Sequence, residues 1–478
     1  MTQPTLETDY LVIGAGAVAM AFVDTLLSED PAATVLMVDR HHRPGGHWND
    51  AYPFVRLHQP SQWYGVASRE LSHGAKDENG FNVGLYGLAS GAEVLAYFDQ
   101  VMQQRFLPSS RVRWLPMSEH SEAADGSHRV TSLTSGLVQA ITVRRKVVDA
   151  THARTTVPST HPPRYAVAEG VRCLPLNALP QIARPYAAYT VVGSGKTGMD
   201  AILWLLENGV SSSRIRWIMP RDAWLMNRAN VQPGLENFER SMSTQRDQLQ
   251  AIVESRSTAD LFVRLEAQAL LMRIDPTVQP TTYRCATVST GELAQLRRIE
   301  HVVRLGRLQR IAPDRVVLAQ GSVAADPDTL YIDCSATAIV QPPAGLSVFD
   351  GGRINLAMVR TCQPLFSAAL IAYVECHLPD DAQKNALCNV VPSPEHPVDW
   401  LRMWLVNIVN MSRWRQHAGL SAWLKQCRLN AVAVYMRGVQ PEDTDKIALA
   451  QSVGAAAAAA ASRLPGLIAE MSRQEEMA

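Results

Sequence analysis

The chain has 478 residues, 47% of them hydrophobic, and its 45 Lys and Arg balance 45 Asp and Glu for a formal net charge of zero. That length and apolar share fit a globular protein of two or three domains burying roughly three quarters of the chain surface, and exclude a disordered chain. With no overall field to draw a polyanion, neither nucleic acid nor an anionic membrane is an expected partner, and a small molecule is.

The start, "MTQPTLETDYLVIG", has no basic stretch ahead of a long apolar one, and no uninterrupted apolar run reaches membrane-spanning length, so the expectation is a soluble, cytoplasmic protein. "DYLVIG" predicts a strand, followed by Gly14-x-Gly16-x-x-Ala19, an apolar helix "MAFVDTLLSED" and a second strand "TVLMVD" that ends at Asp39, with Arg40 next. Each residue type has a use in holding a dinucleotide. The glycines let backbone approach a pyrophosphate at free helix N–H groups, Ala19 keeps helix and strand close, and an acid about twenty residues on takes the ribose hydroxyls. In two-dinucleotide flavoproteins the first such loop is the one for FAD.

Downstream, "SGAEVLAYFDQVMQQRFL" predicts a helix with a capping box, Ser90 as N-cap and Glu93 at the third helical position. Alternation from Arg111 to Thr151 predicts hairpin strands, and the proline-rich "VPSTHPPRYAV" a connection between domains. Next comes "VVGSGKTGMD". Gly195-Lys196-Thr197 imitates the end of a Walker A loop, but the glycine required five places earlier is Thr190. What remains is a second dinucleotide loop, Gly193-x-Gly195-x-x-Gly198, with Lys196 expected on its rim. The following strand, "IRWIMP", leads to Arg221.

Residues 231 to about 300 are mostly helical and charged, which predicts a helical insertion. A hairpin follows, then a buried strand "DTLYIDCSA", then a short strand and a helix beginning near Pro364. The tail carries Trp and Leu at helical spacing and an alanine run, so helices are expected whose apolar stripe serves packing or a homodimer contact. The seven cysteines are odd in number and widely spaced. No disulfide framework is expected, and no CxxC-type pair offers the dithiol of a disulfide reductase. No metal site is expected either, and His41 and His42 should face solvent beside their glycine turn.

The most specific string is "VDRHHRPGGHWNDAYPFVRLHQPSQWYGV", which contains Gly45-Gly46-x-Trp48, Asn49, Tyr52-Pro53, Arg56 and Leu57-His58-x-Pro60. It resembles the class B flavin-dependent monooxygenases. The Gly-Gly-x-Trp, Asn and Tyr-Pro parts are similar to Baeyer–Villiger enzymes, and the Arg-Leu-His-x-Pro part to the plant auxin-forming enzymes. "IMPRDAWLMNR" is similar to the family's strand-end arginine, and implies Arg221 first and Arg228 second as partners of an NADPH 2′-phosphate. The resemblance spans roughly residues 8 to 65, 147 to 230 and 300 to 370. One feature departs from the family: where it has Phe-x-Gly-x-x-x-His, this chain reads "VRCLPLNALPQIARP", without the His.

The resemblance implies an α/β fold of two Rossmann-like, dinucleotide-binding domains of the two-dinucleotide flavoprotein type. Residues 1–155 would form the first part of the FAD domain, 156–335 the NADPH domain with its insertion, 336–390 the FAD-domain return and 391–478 a helical C-terminal region. FAD and NADPH are the implied cofactors, O2 and a small organic molecule the substrates, and a flavin hydroperoxide the oxygen donor. Gly45, Gly46, Trp48 and Arg56 would then lie along the flavin. His58 would donate a hydrogen bond near the ring or satisfy a backbone carbonyl, and the helix after Gln363 would turn its positive end to the flavin. Two alternatives stay open: an FAD dehydrogenase or oxidase without oxygen transfer, and a catalytically silent FAD-binding protein.

Overall fold

Strand Leu6–Ile13 is almost wholly buried in its second half, as a strand covered on both faces must be. The protein's structure, a computed structural model, describes residues 5–71, 73–153, 155–336 and 340–477. The first four residues, part of the stretch read as lacking a leader, lie outside the described residues. Leu6–Ile13 runs parallel to Val35–Val38 on one side and to Val138–Asp149 on the other. Val112–Leu115 extends the sheet beyond Val35–Val38, and a meander of Ser118–Glu122 and His128–Ser132 returns to Val138–Asp149. Strand Arg353–Asn355, some two hundred residues later in sequence, pairs with the far edge of Val138–Asp149. Helices Ala17–Glu29 and Pro364–His377 pack together over this sheet, with Phe22, Met20, Ala369 and Ile371 fully buried between them.

A second sheet of five parallel strands has the order Arg172–Pro175, Thr329–Asp333, Ala188–Val192, Ile215–Ile218 and His301–Val303. Its core is built on Trp217, Ile202 and Leu205. Both glycine loops leave the carboxyl ends of their strands, the edge at which open parallel sheets bind ligands. The two units touch directly: Tyr52 OH donates to Asp200 Oδ2 at 2.5 Å, and Phe54 stacks on Trp204.

The insertion is mainly helical, with Phe238–Glu254, Thr258–Ala267 and Thr290–Leu296, but it also contributes strands Leu271–Met272 and Thr282–Val288 on either side of Ala223–Asn227. Those strands are short and buried, so their apolar runs carry no period that separates them from helix. The tail forms helices Pro397–Gln416, Ala418–Gln426, Ala431–Met436 and Thr444–Met477. Helix Thr444–Met477 packs on both Phe238–Glu254 and Pro397–Gln416, and Trp400, Leu464 and Leu467 join Phe238 in one core. Of the two uses expected for the tail's apolar stripe, packing within the chain is the one these side chains serve. Segment Thr444–Gln474, with mean hydropathy 1.2, is long and apolar enough to cross a membrane by length and composition. Reading for uninterrupted apolar runs misses it because charged residues such as Arg463 and Glu470 punctuate the helix.

Candidate functional site

The first glycine loop is shaped by backbone contact. Gly14 has φ +94°, where L-residues are strained, and a Cβ there would lie 3.2 Å from Thr151 Cγ2. Gly45 N donates to Ala15 O at 2.8 Å, which lays the Gly-Gly turn on the loop, and a Cβ on Gly46 would stand 2.9 Å from Gly16 Cα. Gly16 caps helix Ala17–Glu29 without any side-chain hydrogen bond, leaving first-turn N–H groups for a ligand. Ala19 is fully buried under the helix. The second loop repeats the design. A Cβ on Gly198 would fall 2.2 Å from Gly193 O, and Trp217 Nε1 fixes that same carbonyl at 2.8 Å. At Gly195, the uncapped start of helix Lys196–Glu207, a Cβ would meet nothing within 4 Å.

Asp39 sits at the end of Val35–Val38, mostly buried, where its carboxylate accepts from Ala15 N at 2.6 Å, from His41 N at 2.8 Å and from His41 Nδ1 at 2.8 Å. Three of about four acceptor positions are thus used, and one remains. Burial raises the Asp39 carboxyl, but the hydrogen bonds from the His41 side chain and from the His41 and Ala15 backbones outweigh it, so the net shift is down. His41 does not simply face solvent as expected: its ring is clamped between Asp39 and Asp50 Oδ2, the latter at 2.9 Å. The hydrogen bond to Asp39, opposed by burial and helped by Asp50, lifts His41 to about 9 from 6.5. A group with a raised folded pKa stabilises fully below its unfolded value and loses that contribution as pH rises through the folded one. The melting temperature of the wild type should therefore fall relative to that of His41→Asn between pH 6.5 and about 9. Scanning calorimetry of both proteins across that range checks this, and parallel curves would contradict it.

Arg40 is exposed and pairs with Glu119 at 3.1 Å on the cleft rim. Both loops open on one cleft of about 1280 Å³, lined also by Trp48, Arg56, His58, Trp63 and Gln363. Trp48 is buried and donates through Nε1 to Tyr64 OH at 2.7 Å. Arg56 is exposed at the cleft, its backbone bridged to Ser90. His58 Nδ1, Trp63 Nε1 and Gln363 Oε1 are buried atoms without a hydrogen-bond partner among the described residues, so His58 Nδ1 satisfies no backbone carbonyl. Burial, with the charges of Lys196 and Arg228, pushes His58 down to about 3, leaving the ring neutral. Gln363 is the N-cap of helix Pro364–His377 and makes no side-chain cap.

Beyond the second loop, Arg221 and Arg284 share Glu395: Arg221 Nη2 contacts Oε1, and Arg284 Nε reaches Oε2 at 2.9 Å. Burial raises Glu395, and its bonds to Arg284 and Arg221 more than reverse this, holding the carboxyl below its usual range. All three residues line the cleft. Arg228 does not. It is fully buried, bound to Glu292 at 2.7 Å, to Thr287 O at 2.9 Å and to Asn82, which withdraws it from any phosphate in the cleft. Lys196 is not on a bare rim either; it pairs with Asp200, itself held by Tyr52. No disulfide framework is expected from the sequence, but one bridge joins Cys285 and Cys362, with Cα atoms 6.6 Å apart and both residues lining the cleft. Neither Arg284, Glu395 nor this bridge had a local sequence signal.

No protein-family model matches the chain. Among solved structures, OTEMO in complex with FAD and NADP matches with a TM-score of 0.51 and 15% identity over 77% of this chain and 84% of that one. A flavin-containing monooxygenase from Stenotrophomonas maltophilia matches with a TM-score of 0.45 and 15% identity over 80% of this chain and 100% of that one. The fold is the expected α/β architecture of two Rossmann-like units with a helical C-terminal region, the same fold as that of OTEMO. Over 429 residues the chain is 50% identical to the uncharacterized protein Rv2000 of Mycobacterium tuberculosis and to the uncharacterized protein Mb2023 of Mycobacterium bovis, spanning 90% of this chain and 78% of each relative. The chain belongs to the family of these mycobacterial proteins.

Proposed function

We propose that the protein is an FAD-dependent monooxygenase, reduced by NADPH, that transfers one atom of O2 to a small organic substrate. The observation that carries this reading is the pair of uncapped glycine-loop helix starts opening on a single cleft of about 1280 Å³, more than the roughly 300–1,000 Å³ of a single-ligand pocket. FAD fits the first loop, where the Gly16–Gly46 contact leaves no room for a side chain and Asp39 keeps one acceptor position for a ribose hydroxyl. The division into an FAD part at residues 1–155 and 336–390 and an NADPH part at 156–335 follows from that assignment. When bound, the flavin supplies the hydride acceptance and the oxygen chemistry.

The chain's own residues do the rest. Trp48, braced by Tyr64, walls the cleft with Trp63 and excludes water from it. His58, neutral by burial, offers an unpartnered Nδ1 to a ring heteroatom but no imidazolium proton. Gln363 Oε1 is a free acceptor, and the helix it begins turns a positive end to the cleft, worth about 1 kcal/mol to an anionic ring edge. Arg221 and Arg284 exchange Glu395 for the 2′-phosphate of NADPH. Arg221→Ala should raise the NADPH requirement roughly ten- to a hundredfold, about 1.5–3 kcal/mol, with NADH use nearly unchanged. Glu395→Gln should lower that requirement, because it removes the competing anion. Anaerobic flavin reduction with each nucleotide reads both effects. Equal losses for NADPH and NADH in Arg221→Ala would assign Arg221 to the fold.

A second reading, a dehydrogenase or oxidase of the same architecture, is favoured by the absent His in the stretch that here holds the short helix Leu176–Gln181. NADPH consumption measured alongside H2O2 across candidate substrates separates the two. A substrate that raises the first and suppresses the second supports oxygen transfer. H2O2 in step with NADPH for every compound supports the oxidase.

A further inference from the structure

We propose that Cys285 and Cys362 are a redox-active pair, a second two-electron acceptor in the cleft that is reduced from the same hydride source as the flavin. The inference rests on the cofactor reading above. Its first support is placement. Strand Thr282–Val288 pairs Tyr283 with Trp224 and Thr287 with Met226, so four steps on one strand oppose two on the other. That bulge throws Arg284, Cys285 and Ala286 into the cleft wall, and bulges beside functional sites re-aim side chains in this way. Cys362 comes from the other unit, immediately before Gln363 and the fourteen-residue helix Pro364–His377. Both cysteines hold φ +53°, a left-handed conformation that non-glycine residues rarely adopt.

The second support is chemical. A sulfur at the start of a long helix with no side-chain cap is stabilised as a thiolate by the helix's positive end, so Cys362 is the better leaving sulfur of the two. The guanidinium of Arg284 adjoins Cys285 in sequence and lines the same wall. On either side of Cys362, Thr361 Oγ1 and Gln363 Oε1 are buried without a partner among the described residues, so the surroundings of this sulfur are set for a polar group that is not protein. The remaining five cysteines are free, and those with a resolved shift point the same way: burial pushes Cys173 up to about 11, Cys376 to about 12 and Cys427 to about 11, and raises Cys334 and Cys388 as well. Burial disfavours the thiolate at each of these five. Cys334 also lines the cleft, but its thiol is buried and unbridged.

In the proposed step the Sγ–Sγ bond takes up two electrons and breaks. Cys362 leaves as a thiolate and takes one proton from solvent, and Cys285 becomes the second thiol with the proton that a reduced flavin would release along with its two electrons. The electron donor is a bound two-electron-reduced flavin, which returns to its oxidised form, with NADPH as the ultimate reductant. The step needs no other reagent.

The test is an anaerobic NADPH titration of the FAD-loaded full chain, followed by denaturation, alkylation with iodoacetamide and intact-mass measurement. Five cysteines should alkylate before reduction and all seven after it. The wild type should consume about two equivalents of NADPH per FAD, and Cys285→Ser and Cys362→Ser about one, as a two-electron couple requires. Seven alkylated cysteines before any reductant would overturn the proposal. So would a bleached flavin with five still the count, and the wild-type count stands whether or not the serine variants fold. If NADPH fails to bleach the flavin, light-driven reduction of the bound FAD delivers the same electrons. A count of seven then upholds the pair while the NADPH reading falls, and a count of five overturns the pair. A chain that retains no FAD overturns the cofactor reading and the inference together.

Discussion

Gly195→Val should give a protein that melts within a few degrees of the wild type, keeps its FAD and is no longer reduced efficiently by NADPH. Gly195 has φ −78° and ψ 179°, extended backbone open to any residue, and a Cβ there meets nothing within 4 Å. The chain itself therefore accommodates valine at a cost of at most about 1 kcal/mol, the difference between a good and a poor N-cap. The isopropyl group would instead fill the space through which a pyrophosphate approaches the free N–H groups of helix Lys196–Glu207, and NADPH-driven reduction should fall by about a hundredfold or more, roughly 2.7 kcal/mol. Gly198→Val, three residues on, should behave in the opposite way. Its Cβ would lie 2.2 Å from Gly193 O, so it should lose stability before any ligand is considered. Calorimetry and anaerobic reduction of the two variants separate a ligand glycine from a packing glycine within one motif. Normal reduction of Gly195→Val by NADPH would remove the second nucleotide from this loop.

Arg228→Met should be the most destabilising of these changes, by about 3–5 kcal/mol, because it leaves Glu292 as an unpaired charge in the interior. Burial raises the Glu292 carboxyl, and the charges of Lys196 and Arg228 bring it below its usual range, so loss of the guanidinium removes much of what keeps it ionised. The double variant Arg228→Met/Glu292→Leu should recover most of the loss, short of about 1 kcal/mol for the capping box that Glu292 forms with Ser289. Denaturant midpoints of wild type, both single variants and the double variant give the cycle. The NADPH to NADH preference should stay unchanged throughout. A stable Arg228→Met that loses this preference would restore Arg228 as the phosphate ligand.

The exchange between Arg221 and Arg228 shows how far the sequence reaches. In the sequence both arginines come after "IRWIMP", Arg228 with the further strand Ala223–Asn227 between, and local sequence ranks them only by distance from the end of Ile215–Ile218. Glu292, which buries Arg228, lies 64 residues away in the chain, and Glu395, which keeps Arg221 at the cleft, lies 174 away. Side-chain direction at such positions depends on what the rest of the chain brings alongside. His41 is a nearer case: its partners Asp39 and Asp50 lie two and nine residues away, but only the turn made by Gly45 and Gly46 folds Asp50 back onto the ring.

By itself the sequence determined the two strand–glycine–helix units, the capping box at Ser90, the helix beginning at Pro364 and the identity of the loops that face the cleft. These follow from rules that act between near neighbours: which residues tolerate positive φ, which side chains reach a first-turn N–H, and which periodicity buries one face. The tertiary structure alone decided that Trp400 packs on the insertion while Trp414 packs on Phe366 of the first unit, that Tyr52 joins Asp200 across 148 residues, and that Cys285 meets Cys362 across 77. Such contacts are set by chain closure and core packing, and a single sequence carries no local term for either.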